Sequence, residues 1–440
     1  MEEFKVEEIS REDIKPSSPT PSHLRTFKHS ILDQANLFHY GPVVVFYISH
    51  NLSEFPKRLE LLKQSLSETL THFYPLGGRI KDDFSIDCND EGANFVVAKV
   101  NCPIAKFLSK PDIYSLEKFL PISFLHETSI GDHVTNIQVN VFDCGGIAIG
   151  FCISHRITDG ASFSIFIKAW TERASYNHNS EPLAKPNFAT ISLFPAATSH
   201  FREISNQPIA TLKAQILAKS SADPSKNHPS HVQIVSALLW KCFMVASKAQ
   251  FGTQRPSLVN HTVNLRQLME KSLHPENSIG NFLWCCTAEH TGEHELSLDD
   301  LVSKLKNSIQ QVDKDLAARF QRYDDASSIV EDDVRNLGRK TRGDAFETLF
   351  FSSWYNFGVY DTDFGWGKPI WGGPIDLRNT LMCMNTIVLV HTKFRDGIEA
   401  WVTLEEEKMK HLESCPELLT YATPDPSPLT MGSTGSNSKL

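Results

Sequence analysis

A chain of 440 residues, 41% apolar and 22% charged, holds enough hydrophobic side chains for the cores of two domains, which excludes a disordered or fibrous protein. Fifty-two acidic residues against 43 Lys and Arg leave a net charge of -9, so long-range attraction to nucleic-acid phosphates or anionic lipid is not expected. The first ten residues lack the basic and apolar regions of a signal peptide, and the greasiest run, Ile147 to Ile153, is too short to cross a bilayer. A soluble protein is expected. Nine cysteines without the spacing of a disulfide scaffold read as reduced thiols of an intracellular compartment.

Along the chain, Leu59, Leu62, Leu66, Leu70 and Phe73 share one stripe and predict a helix from Phe55 to about Phe73, stopped at Tyr74-Pro75. Ile137 to Phe142 and Ile147 to Ile153 are strand-like runs around Asp143-Cys144-Gly145-Gly146, which predicts a hairpin. Phe163, Phe166, Ile167 and Trp170 then fall at helical spacing. Between about Ser180 and Pro208 the pattern dissolves into Asn, Ser, Pro and Ala. This divides the chain into an N-terminal domain (1–185), a crossover linker (186–208), a C-terminal domain (209–422) and a disordered tail (423–440). Within the C-terminal domain the expectations are a helix beginning near Ala210 and an apolar stretch from Val232 to Ala246. They continue with a helix from Leu301 to about Phe320 and a second hairpin, Thr380–Val390 with Ile398–Thr403, turning at Arg395-Asp396-Gly397. Helical and strand periods alternate without a fixed repeat, so the class is mixed α/β.

The hairpin's second strand delivers Ser154-His155-Arg156-Ile157-Thr158-Asp159-Gly160. A histidine at a strand end is held rigidly while its ring reaches a cleft, the placement a general base needs. About one His-x-x-x-Asp is expected by chance in such a composition, and a second occurs at His29 to Asp33, so the spacing alone is not diagnostic. More distinctive is Asp363-Phe364-Gly365-Trp366-Gly367-Lys368-Pro369, whose glycines flanking a tryptophan suggest a rigid loop; the plain alternative is a turn whose Trp fills a pocket. No Gly-x-Ser-x-Gly elbow or Walker-type phosphate loop is present. Cys285-Cys286 and His228-Pro229-Ser230-His231 lack second ligand pairs at zinc spacing, so no metal site is expected.

These two segments match the HXXXDG and DFGWG motifs of the plant BAHD acyltransferases, in that family's order and at about its separation, and the chain resembles that family over nearly its whole length. Lesser matches are Lys15 to Pro21, Phe73 to Arg79, Phe142 to Gly146, Val263 to Arg266 and Ile279 to Asn281. The opening motif and the Phe-Asp-Cys-Gly-Gly hairpin are most similar to the alkaloid and terpenoid O-acetyltransferase subgroup. The resemblance implies two similar chloramphenicol-acetyltransferase-like α/β domains, with mixed sheets and flanking helices, meeting at an active-site tunnel. It implies transfer of an acyl group from acyl-CoA, by subgroup acetyl-CoA, to an acceptor alcohol, with His155 as the general base. No permanently bound cofactor, metal, nucleic acid or membrane is implied, and a monomer is expected. Asp159 would support the site through a salt bridge to Arg266, and the segment of Asp363, Gly365, Trp366 and Gly367 would sit away from His155 and hold the second domain's loops in place. Cysteines 144 and 152 read as small core residues. The family's strand before the helix expected at Ala210 has no counterpart in the sequence, so part of the crossover is expected to be missing; Gly77 replaces a common Ala. Two other readings remain beside this one: a catalytically impaired, small-molecule-binding relative, and a carrier-dependent condensation enzyme, which normally has a second His where this chain has Ser154. The expected location is the cytoplasm, with Ser438-Lys439-Leu440 also matching the peroxisomal import tripeptide.

Overall fold

The computed structural model describes residues 4–34, 39–123, 126–175, 185–188, 190–194, 210–216, 229–269, 275–292, 296–320, 346–375 and 385–430, with the backbone alone at 113, 210–216 and 313–320. Its first half is built on a six-stranded mixed sheet. The order is β1 (Val6–Ile14), β6 (Ala93–Val100), β7 (Thr135–Phe142), β8 (Ile147–Ser154), β3 (Tyr40–Tyr47) and β13 (Trp371–Pro374). Only β6 and β7 run parallel among these neighbours. β7 and β8, the predicted hairpin, are buried along their whole length: β8 reads as a continuous apolar run, while β7 alternates Asn136, Gln138 and Asn140 with Ile137, Val139 and Val141, and its buried amides are hydrogen-bonded to one another, to Asn94 and to Phe119 O. A small sheet of β2 (Thr26–Lys28), β5 (Ser85–Asp87) and β4 (Arg79–Asp82) extends this half, and α1 (Ile31–Gln34) leads from β2 toward β3. The predicted helices appear as α2 (Phe55–His72) and, after the short α3 (Ile104–Ser109), α4 (Gly160–Ser175). They are bound by more than apolar contact: the buried Trp170 indole N–H of α4 donates to Ser65 Oγ of α2 at 3.0 Å.

The second half carries a seven-stranded mixed sheet. Its order is β11 (Leu283–His290), β10 (Ser257–Asn264), β12 (Glu347–Ser353), β14 (Thr386–His391), β15 (Ile398–Leu404), β9 (Ala210–Ile216) and β16 (Ala422–Pro424). After α5 (Thr190–Leu193) come α6 (His231–Phe251), α7 (Leu298–Phe320), α8 (Glu406–Glu413) and α9 (Pro416–Tyr421). The apolar stretch predicted from Val232 is α6, started by a Ser230–Gln233 capping box and ended by Gly252 in the left-handed conformation. By length and composition α6 could cross a bilayer; here it is a core helix, with Leu239, Trp240, Cys242 and Phe243 buried against the second sheet's Val259, Leu349 and Leu389.

Four expectations need correction. The segment from Ala210 is a strand, paired antiparallel with β15 from Ala210↔Leu404 to Ile216↔Ile398, and not a helix. Its sequence alternates Thr211, Lys213 and Gln215 with Leu212, Ala214 and Ile216, a period that suits a strand as well as the helical reading, and a free sheet edge decides between them. The crossover segment before Ala210, expected to be shortened, lies outside the described residues. The described part of the linker is also not structureless: the Asn187 N–H donates to Asn277 O, and Ile279 N–H to Asn187 O, both at 2.8 Å. The tail is ordered beyond Thr423, since β16 pairs with β9 and Ser427 Oγ donates to Leu108 O in the first half at 2.8 Å. Residues 431–440, with Ser438-Lys439-Leu440, lie outside the described residues. Finally, the second hairpin turns with Arg395 at a positive φ of 56°, with Thr392 Oγ1 accepting from the N–H groups of Asp396 and Gly397, so the Asp-Gly pair does not supply the left-handed residue. Of its predicted first strand, residues 380–384 lie outside the described residues.

Among the contacts that join the halves, two are largely apolar. β13 comes from the second half of the chain but completes the first sheet, where Trp371 stacks on Phe46 at 5.3 Å and on Trp401 of β15 at 5.5 Å. A smaller core of Ile31, Leu32, Phe194, Leu265, Phe282 and Val312 draws side chains from both halves and from the crossover.

Candidate active site

His155 follows the last residue of β8, and its backbone is fixed from both halves of the chain. The antiparallel register that pairs Tyr40 with Ser154 continues one residue further, so the His155 N–H donates to His39 O at 2.9 Å. From the second half, Asn281 Nδ2 donates to His155 O at 2.8 Å. Asn281 is itself held by Asp33, whose Oδ1 accepts from its backbone N–H at 2.7 Å and from Nδ2 at 3.0 Å. The Asp33 Oδ2 is satisfied by Ser30 through its N–H and Oγ. The His-x-x-x-Asp at 29–33 thus contributes its Asp to the frame around His155, which spacing alone did not reveal. Asn281 belongs to the Ile279-Gly280-Asn281 match, the available signal; Ser30 had none.

The His155 ring is partly exposed, with Nδ1 buried. A group entering the cleft therefore meets Nε2. Burial lowers the ring's pKa, and the nearby Asp159 carboxylate, the residue's own carbonyl and Asn281 offset only part of that, so the imidazole is neutral at pH 7. A neutral imidazole with its proton on Nδ1 presents a lone pair at Nε2, the form a base requires.

Asp159 does not face this lone pair. It is 1% exposed and its carboxylate is occupied on every side: Arg266 Nη1 and Nη2 donate to it at 2.7 and 3.1 Å, the Ser162 N–H at 2.7 Å and the Phe282 N–H at 3.0 Å. Burial alone would raise its pKa, but the Arg266 guanidinium and these N–H donors hold it below the ordinary carboxylate value. Arg266 is as fully used, donating also to Ser278 O, Gly280 O and Ser162 Oγ while lying over the Phe282 ring. The expected ion pair is present, and it fastens the first half, through Asp159 and Ser162, to the second, through Arg266 and residues 278–282. Gly160 allows a close approach here: a Cβ would lie 2.5 Å from the Phe357 ring, whose carbonyl accepts from Ser164 Oγ. Arg156 turns elsewhere, to Thr128 and Asp83.

The Asp363–Gly367 segment is a separate piece of construction. Asp363 Oδ1 accepts from the N–H groups of Gly365 at 2.8 Å and Gly367 at 2.9 Å, an arrangement that closes the loop on itself. Among the described hydrogen bonds it makes none to His155. Its partners correct the expectation that it braces the second domain's loops. Phe364 packs on Trp170 of α4 at 4.9 Å, Ser175 Oγ donates to Asp363 O, and Trp366 lies against Tyr47 and Arg58, all in the first half. The loop anchors the chain leading into β13. Gly365 and Gly367 have φ of 96° and 108°, so Gly365→Ala and Gly367→Ala are each expected to cost about 1–2 kcal/mol in chemical denaturation. Unchanged midpoints would show that the loop tolerates a side chain there. Cys152 fits the core reading, fully buried with its thiol pKa pushed up, whereas Cys144 is only partly buried at the edge of the core, where its Sγ accepts from the Ile104 N–H.

Paired α/β halves, each on a mixed sheet, that meet around His155 have the architecture of a two-domain CoA-dependent acyltransferase. The chain belongs to the Transferase family, the BAHD acyltransferases, whose model matches residues 4–216 and 197–419. It is 40% identical to an epi-neemfruitin B 7-O-acetyltransferase of Melia azedarach, over 96% of this chain and 99% of that one, and equally to a limonoid 7-O-acetyltransferase of Citrus sinensis with the same coverage. Among solved structures it is similar to vinorine synthase, at 31% identity and a TM-score of 0.79 over 95% of this chain and 98% of that one.

Proposed function

We propose that this chain transfers the acetyl group of acetyl-CoA to a hydroxyl of a polycyclic terpenoid of the limonoid class. The observation that carries the chemistry is the His155 imidazole, neutral, fixed by His39 O and Asn281, and reachable at Nε2. An alcohol is a poor nucleophile at neutral pH, and an imidazole at about 3 Å removes its proton as it attacks the thioester carbonyl. The tetrahedral oxyanion then collapses, the C–S bond breaks, and the CoA thiolate recovers the proton from the imidazolium. Asp159 and Arg266 hold the loop that aims the ring, and neither exchanges a proton. The limonoid class is supported by the names of the two 40% identical relatives; an alkaloid hydroxyl is the second reading, since a salutaridinol 7-O-acetyltransferase of Papaver somniferum is 31% identical.

The test is free-thiol release and product mass after mixing the purified protein with acetyl-CoA and, separately, a 7-hydroxy limonoid and salutaridinol. Acetylated limonoid supports the proposal, acetylated salutaridinol alone moves it to the alkaloid reading, and no thiol release with either overturns it. Because His155 titrates below its ordinary value, kcat/KM is expected to rise with pH through a midpoint below about 6.5 and to be flat from pH 7 to 8. A midpoint above 7 would be incompatible with this base.

A further inference from the structure

A second imidazole stands beside His155. His39 precedes β3 directly opposite His155 in the strand register, and the two ring centroids are 5.7 Å apart with planes tilted by 50°. It comes from a part of the chain more than a hundred residues away and belongs to neither motif. His39 is only 6% exposed, and its Nδ1 is fully buried without a hydrogen-bond partner, whereas Nε2 is not closed off in that way. Burial, with the neighbouring His155 as a second contribution, lowers its pKa to about 3, so it is neutral at any pH at which the protein works.

The tautomer follows from the cost of orphaned groups. A buried N–H without an acceptor loses its hydration with nothing in return, and a bare ring nitrogen in the same place loses less; the His155 ring has its own carbonyl and Asn281 beside it to favour a proton on its inner side, whereas His39 has no such group, so the proton of neutral His39 belongs on Nε2. This leaves His39 with one N–H, on a ring 5.7 Å from that of His155, whose own Nε2 is bare. The two rings are complementary: one takes a proton, the other offers a hydrogen bond and holds no charge that would oppose the imidazolium forming beside it.

We propose that His39 is a catalytic residue of this site, its Nε2–H donating to the thioester carbonyl oxygen as negative charge builds there. No proton is transferred: the N–H bond stays intact while the carbonyl π electrons move onto oxygen and return as the C–S bond breaks. The proposal rests on the acyl-transfer reading above, and one oxyanion donor is worth on the order of 10²–10³ in turnover.

His39→Phe keeps a ring and removes the donor, His39→Leu is a second apolar replacement should Phe disturb folding, and His39→Gln restores a side-chain N–H. Thiol release with the acceptor accepted by the wild type is the readout. The expected result is a fall in kcat of about 10²–10³ for Phe and Leu, less than threefold change in KM for acetyl-CoA, partial recovery of kcat with Gln, and an acid limb in the pH profile that stays where His155 puts it. Turnover within twofold of wild type in a folded Phe or Leu variant overturns the proposal, as does a loss carried wholly by KM or one that Gln does not relieve, since either marks a packing role. If the wild type itself releases no thiol, the acyl-transfer reading fails first, so the two failures are told apart.

Discussion

His155→Ala is expected to lower turnover by about 10² to 10⁴ while acetyl-CoA binding and melting temperature stay close to wild type. The backbone on each side of the ring explains the separation of effects. The His155 N–H bonds to His39 O, its carbonyl accepts from Asn281, and both survive removal of the side chain. What is lost is the bare Nε2, with the partly exposed ring contributing little to the core. Single-turnover thiol release and isothermal titration with CoA measure the two quantities independently. Near-wild-type turnover in the variant would remove the mechanism; loss of CoA binding would assign the ring to holding the donor.

Asp159→Ala should act mainly on stability. It leaves the Arg266 guanidinium, 6% exposed, without the carboxylate that takes two of its hydrogen bonds, and it orphans the Ser162 and Phe282 N–H groups. Breaking one partner from a buried ion pair costs about 3–5 kcal/mol, enough to reduce soluble yield and lower the melting temperature. Asp159→Asn keeps the size and one acceptor oxygen, so it is expected to lose less stability than Ala. The pH dependence has a definite sign. The folded pKa of Asp159 is depressed, so its contribution is fully present above the unfolded value of about 3.9 and is lost as pH falls from there through the folded value. A fully stable but inactive Asp159→Ala protein would contradict this and argue that the carboxylate takes part in the reaction.

Local patterns in the sequence are sufficient for the elements that carry one dominant period. The stripe of Leu59, Leu62, Leu66 and Leu70 is α2, and the apolar runs around Asp143–Gly146 are β7 and β8, because each segment is long enough for its buried face to be unambiguous. His155 and Asp159 were legible as motif residues, and the pairing of Asp159 with Arg266 followed from the family resemblance. Short segments of mixed period behaved differently. The stretch from Ala210 suits either a helix or a strand, and only the edge of β15, nearly two hundred residues later, settles it.

The site shows the same division. Strand-end placement of a histidine before an apolar helix is a local property, so the chain's own pattern located the base. Its surroundings are set by register and by the meeting of two halves: His39 faces His155 because β3 pairs with β8 at one particular offset, and Asn281 reaches the His155 carbonyl because Asp33 and Asp159 tie residues 281 and 282 to the first half. Strand register and inter-domain contact are decided by burial summed over whole faces, with a one-residue slip reversing every side chain. No window of sequence contains that sum, so the tertiary structure alone brought the second imidazole beside the first.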